Sequence, residues 1–344
     1  MTVRDLLMAT RVVNDPALAV AHNSSPYVTA YPWSGGFGTK VANPASLPNN
    51  AGYSVAFSPD GAFVAVGHSA SPYISVYPWS SSGFGTRVAN PATLPGGQVR
   101  GIAFSPDGAY LAVAQGSSPY INVYPWSSSG FGTKVANPAT LPGFAGYCVA
   151  FSPDGDYLAV GDNSAPTLNV YPWSSGGFGT RFADAATPPA GVVQGVTFSP
   201  DGAFIAVAQD VTPFVNVYPW SSSGFGTKVA NPSTLPASQA RAVAFSPDGA
   251  FIAVAHITTP YISVYPWSSS GFGTKVANPA TLPGGNGTGL AFSPDGAYLA
   301  VVNEDASSPY GYLTVYPWDG AFGSALTPAS ALAGTGYAVA WRPQ

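Results

Sequence analysis

One pentapeptide sets the terms for everything this chain can fold into. Phe-Ser-Pro-Asp-Gly begins at Phe57, Phe104, Phe151, Phe198, Phe245 and Phe292, a constant step of 47 residues. Tyr-Pro-Trp keeps nearly the same beat, ending at Trp33, Trp79, Trp126, Trp173, Trp220, Trp267 and Trp318. Seven near-copies of one small unit cannot each bury a core alone, so each must bury its faces against its neighbours. Within a unit, Tyr53 to Phe57 and Phe63 to His68 are short β-rich runs around the turn signal Ser58 to Gly61. Tyr73 to Trp79 reads as a third strand, and Phe84 to Ala89, after a Ser-Gly break, as a fourth. The expectation is an all-β fold, a seven-bladed β-propeller of four-stranded antiparallel blades.

The ends show how the ring closes. Ala17 to His22 matches a second strand, whereas Tyr337 to Trp341 matches a first strand with Trp341 in place of Phe. The first blade is therefore expected to take its inner strand from the C-terminus, an exchange that leaves no open sheet edge at the seam. Residues 14–344 form one propeller on this reading, and residues 1–13 are left as a tail or anchor.

The motif Ala-Phe-Ser-Pro-Asp-Gly, with a Trp closing the third strand, resembles the WD-repeat propellers. The Trp-Asp dipeptide and the Gly-His pair of that family are missing, so its Asp-His-Ser/Thr-Trp network is not carried over. The run Ser71 to Pro95, with its Tyr-Pro-Trp and Ser-Gly-Phe-Gly-Thr segments, also resembles near-identical repeats in predicted proteins of bacteriophages and environmental viral sequences. That resemblance implies a virion location, on a tail, fibre or capsid surface.

Charged residues make up only 8% of the chain and the formal charge is −4, which offers no footprint for phosphate backbones and excludes nucleic acid as the expected partner. Met1 to Asn14 carries neither a signal peptide nor a membrane span, so a location outside a virion would be cytoplasmic. The single cysteine, Cys148, stands where other units have Ser54, Gly101, Gly195, Ala242, Gly289 and Ala338, and reads as a small residue in a tight space. Three histidines, one glutamate (Glu304) and scattered aspartates form no metal or nucleophile motif. No catalytic residue, metal site or cofactor is expected. The aspartates of the Ser-Pro-Asp-Gly turns and the Trp series are read as turn chemistry and inter-blade packing.

The copies differ most in two sets of positions. Four residues before each Phe, or before Trp341, stand Tyr53, Arg100, Tyr147, Gln194, Arg241, Thr288 and Tyr337. At the end of strand two stand His22, His68, Gln115, Asp162, Gln209, His256 and Asn303. Both sets belong to the propeller face onto which the two variable loops open. Tyr and Arg are enriched at binding hot spots, so these fourteen residues are read as a recognition surface around the channel mouth. The function expected from sequence is a non-enzymatic binding or structural module contacting a protein or glycan, within a large viral assembly. A cellular interaction scaffold or lectin is the alternative, and a hydrolase or lyase with its site in the channel mouth comes third.

Overall fold

A computed structural model describes residues 16–304 and 311–343, so the expectation for residues 1–13 falls outside them. The described residues form seven antiparallel sheets and no helix. In a typical blade the inner strand Gly52–Phe57 pairs with Phe63–His68, which pairs with Ile74–Ser80, which pairs with Gly83–Phe84. The first blade is the sheet Val28–Pro32, Ala17–His22, Gly336–Trp341, so the C-terminal segment supplies its inner strand as the sequence implied.

The cores lie between blades. Ala206, Ala208, Val215 and Val217 of one blade pack with Val243, Phe245, Ile252, Val254, Tyr265 and Trp267 of the next. The ring closes by the same chemistry, with Leu18, Val20, Tyr31, Val339 and Trp341 against Ala300, Val302, Leu313 and Val315. Second strands such as Phe63–His68 are covered on both faces, which is why they read as unbroken apolar runs. Each Trp meets the Phe of its own blade edge-on, as with Trp79 and Phe57 at 5.4 Å between centroids.

The Ser-Pro-Asp-Gly turn is held by its own side chains. Phe63 donates its amide to Ser58 Oγ at 2.9 Å, Ala62 donates to Asp60 Oδ1 at 2.9 Å, and Gly61 adopts a φ of +64° that only glycine enters freely.

The fourth strand is shorter than the sequence suggested. Pairing extends only over Gly83–Phe84 rather than to Ala89, and the first and last blades hold just isolated bridges there. Pro78 lies inside the strand Ile74–Ser80. Its carbonyl accepts Gly85 N at 2.8 Å, so its ring nitrogen, which has no hydrogen to donate, faces the same outer neighbour. The outer segment cannot complete a ladder against that position and peels away, returning only at Val88 N to Val76 O, 2.8 Å.

A buried tyrosine in each third strand reaches out to the linker that enters its blade. Tyr77 donates to Ser46 O at 2.7 Å, Tyr124 to Thr93 O at 3.0 Å and Tyr265 to Thr234 O at 2.8 Å. Tyr265→Phe leaves the Thr234 carbonyl without this donor and should lower stability by about 1 kcal/mol in a denaturant melt, with no change in the cooperativity of unfolding.

Candidate functional site

The first set of variable residues occupies one structural position in every blade. In the pairing of Gly52–Phe57 with Phe63–His68, Gly52 opposes His68 and Ser54 opposes Gly67, so Tyr53 is the unpaired extra residue of a β-bulge. The register breaks in the same way around Arg100, Tyr147, Gln194, Arg241, Thr288 and Tyr337. A bulge releases one residue from the ladder and re-aims its side chain. Here it delivers seven side chains to one cavity of about 270 Å³ at the axis.

The residue after each bulge must be small because neighbouring inner strands converge there. A Cβ on Gly101 would lie 2.8 Å from the Cα of Cys148, and one on Gly289 would lie 2.8 Å from the Tyr337 carbonyl oxygen. Burial pushes the Cys148 thiol well above its ordinary range. Below the rim, Val55, Ile102, Val149, Val196, Val243, Leu290 and Val339 line the cavity as an aliphatic ring.

The rim is organised into partnered groups. The Arg100 guanidinium lies 4.3 Å from the Tyr147 ring centroid, a cation–π contact, and the side-chain amide of Gln98 can accept from it at 2.6 and 3.0 Å. Tyr53 and Tyr337, on the inner strands of adjacent blades, lie 5.1 Å apart between ring centroids. Burial, with Tyr53 and Glu304 nearby, raises the Tyr337 phenol above its ordinary range. Arg241 makes an ion pair with Glu304, whose other oxygen accepts from Asn286 Nδ2 at 3.2 Å. Thr288 turns its hydroxyl to the Val302 and Gly336 carbonyls and is buried.

The second set does something else. His22, His68, Gln115, Asp162, Gln209, His256 and Asn303 are all 0% exposed, so the expectation that they form part of a recognition surface is corrected: they lie beneath it. Each ends a second strand that is covered on both faces, and its polar head is met by another blade residue. His22, His68 and His256 bond the hydroxyls of Thr29, Ser75 and Ser263 at 2.9, 3.1 and 3.1 Å. Gln115, Gln209 and Asp162 accept from Asn122, Asn216 and Asn169 instead, at 3.1, 3.2 and 2.9 Å. The same heads clamp the variable loops. Gln115 accepts from Gly96 N on one loop and donates to Ser117 O on the other, at 3.0 and 3.1 Å. Asn303 donates to Gly311 O at 3.3 Å.

Glu304 was not among the residues singled out as binding positions. Its signal was available: it is the only glutamate, and it stands in the one unit whose Trp spacing stretches to 51 residues. Among the described residues no three His, Cys, Asp or Glu side chains converge as metal ligands.

A family model described as Lactonase, 7-bladed beta-propeller, matches residues 146–331, more than half of the chain. This chain belongs to the seven-bladed lactonase propeller family. A WD domain, G-beta repeat model also matches residues 90–124, in line with the WD-repeat resemblance. Membership of the lactonase propellers overturns the reading as a non-enzymatic structural module, and with it the placement on a phage virion, which rested on repeat resemblance alone. No curated protein matches the chain in sequence. Among solved structures it is similar to a candidate 6-phosphogluconolactonase of Bacteroides fragilis, with 16% identity, a TM-score of 0.70, and 96% of this chain and 99% of that one covered. It is also similar to the periplasmic gluconolactonase PpgL of Pseudomonas aeruginosa, with 20% identity, a TM-score of 0.69, and 95% and 99% covered. At such identities the likeness to these lactonase-type propellers is one of fold.

Proposed function

We propose that this protein hydrolyses a lactone at the mouth of its central channel. The observation that carries the reading is the Arg241–Glu304 pair of a family-typical propeller, since it sets a carboxylate beside a guanidinium that lines a cavity able to hold a small ring. Lactone hydrolysis needs a base for water and positive charge for the oxyanion that forms when water adds to the ring carbonyl. Glu304 takes the proton from water as its oxygen bonds to the carbonyl carbon, and Arg241 stabilises the negative charge on the former carbonyl oxygen. Collapse then breaks the ring C–O bond, and the proton returns to the leaving alkoxide to give a hydroxy acid. Arg100, fixed over Tyr147, is placed to hold an electronegative group of the substrate.

The test is a panel of five- and six-membered lactones followed by pH-stat. Turnover by the wild type, reduced about 10²- to 10⁴-fold in kcat by Glu304→Gln with unchanged melting, is the expected result. Absence of turnover across the panel, or full activity in the Glu304→Gln protein, would remove the proposal.

A further inference from the structure

The opposite face, where the Ser-Pro-Asp-Gly turns and the Ser-Gly loops emerge, holds grooves between adjacent blades that lactone hydrolysis does not use. One, of about 360 Å³, is lined by Ser199, Asp201, Phe204, Asp248, Trp267 and Ser268. A second, of about 230 Å³, repeats the pattern with Asp107, Tyr110, Asp154, Trp173 and Ser174, and a third, of about 130 Å³, with Asp60, Phe63, Asp107, Trp126 and Ser127. Each groove thus combines two turn carboxylates, an aromatic wall and a serine hydroxyl.

The indole is the decisive member. Trp126, Trp173 and Trp267 are 6%, 6% and 8% exposed, and among the described residues none gives its N–H to a protein acceptor. At Trp33, Trp220 and Trp341 the same group is either used or sealed, whereas Trp79 and Trp318, each 7% exposed, share the state of Trp126, Trp173 and Trp267. Trp341 donates to Ala291 O at 3.1 Å, and the N–H groups of Trp33 and Trp220 are shut off from solvent. The seal at Trp220 has a visible cause: Phe182 takes the place held by Val88, Val135 and Val229 elsewhere, and its ring packs 4.9 Å from the indole. With valine there, the N–H donor is not sealed from solvent in this way.

We infer that these inter-blade grooves bind neutral pyranose sugars. A pyranose presents an apolar face and a hydroxyl edge, which suit an aromatic wall beside carboxylate acceptors and an N–H donor. The turn carboxylates already use one oxygen on their own turn, as Asp248 Oδ1 does with Ser246 Oγ and Ala250 N, and keep the other for a ligand. Paired carboxylates repel anions, and the apolar wall suits a ring better than a bare cation. Repetition around the ring makes several weak sites additive on a polymeric glycan. This inference concerns the face opposite the channel mouth and stands or falls independently of lactone hydrolysis.

The test titrates the full chain with D-glucose, D-galactose, D-mannose and N-acetyl-D-glucosamine, read by saturation-transfer NMR and tryptophan fluorescence. At least one sugar should bind saturably. Combining Val88→Phe, Val135→Phe and Val229→Phe, which copies the Phe182 seal, should weaken binding at least about tenfold. The exposed Asp107→Asn, Asp154→Asn and Asp248→Asn set should do the same without entering the core, which covers the case in which the added rings disturb folding. Tyr337→Ala at the channel mouth should leave binding intact. No saturable binding by any of the four sugars, or binding that survives both variant sets, or binding lost only in Tyr337→Ala, overturns the inference.

Discussion

Removing Gly336 to Gln344 should abolish cooperative folding. These residues supply the inner strand of the first blade, pairing Leu18 with Trp341 and Val20 with Val339. Trp341 packs 4.9 Å from Trp33, and Arg342 closes the seam from its side chain to Gly61 O at 2.8 Å and from its amide to Ala17 O at 2.8 Å. Without them, Ala17–His22 becomes an open edge, and the apolar faces of two neighbouring blades meet water. The truncated chain should aggregate or lose its sharp thermal transition, as read by calorimetry and size-exclusion chromatography. Trp341→Ala is the milder version and should cost roughly 3–5 kcal/mol. A truncated protein that melts like the wild type would mean the ring is not held by its C-terminal strand.

Acidification should unfold the protein through its buried histidines. Burial holds His22, His68 and His256 at about 4, and the nearby Lys40, Arg87 and Lys275 push the same way. An unfolded histidine titrates near 6.5, so between about 6.5 and 4 the unfolded chain binds protons that the folded chain refuses. Stability is therefore intact above about pH 6.5 and falls as pH drops toward 4, by roughly 3 kcal/mol for each histidine. Asp162 works in the opposite sense. Burial raises its carboxyl to about 6, so its folded form holds a proton that the unfolded form has released, and it gains stability as pH falls through 6. It offsets about one histidine of the three. A drop in melting temperature on the order of 10 °C between pH 7 and pH 4.5 is expected. The chain carries its own control, because other blades use Gln with Asn at the same two positions. Replacing His22 and Thr29, His68 and Ser75, and His256 and Ser263 by Gln and Asn should flatten the profile. A triple-pair variant with the wild-type acid profile would place the acid lability elsewhere.

Those pairs also show where the sequence was readable and where it was not. The 47-residue beat and the match of Tyr337 to Trp341 with a first strand are covalent periodicities, and they survive folding unchanged. The bulge at Tyr53 does not show in apolar alternation, yet variability at that one position marked the residues it projects. The His22 set was misplaced because a polar residue at a strand end is usually solvated. Its burial was written seven residues on, where His accompanies Ser or Thr while Gln and Asp accompany Asn, a local covariation that only makes sense for side chains in contact. Glu304 was missed because its counterparts, among them Ser69, Gly116, Asp210 and Ile257, share no chemistry that marks the position, and only the folded ring brings it to Arg241. The fourth strand was drawn too long because the cost of Pro78 depends on which neighbour its nitrogen faces, and that is a property of the assembled sheet.

The bulges also bear on how such a chain changes over generations. A bulge residue owes nothing to the ladder on either side, so its side chain can be exchanged with little effect on the hydrogen bonds that hold the blade. Seven such positions open onto one mouth, each on its own copy of the repeat. Point mutation can alter what enters the channel one side chain at a time, and recombination between near-identical repeats can shuffle those side chains among blades, while the ring that carries them is inherited intact.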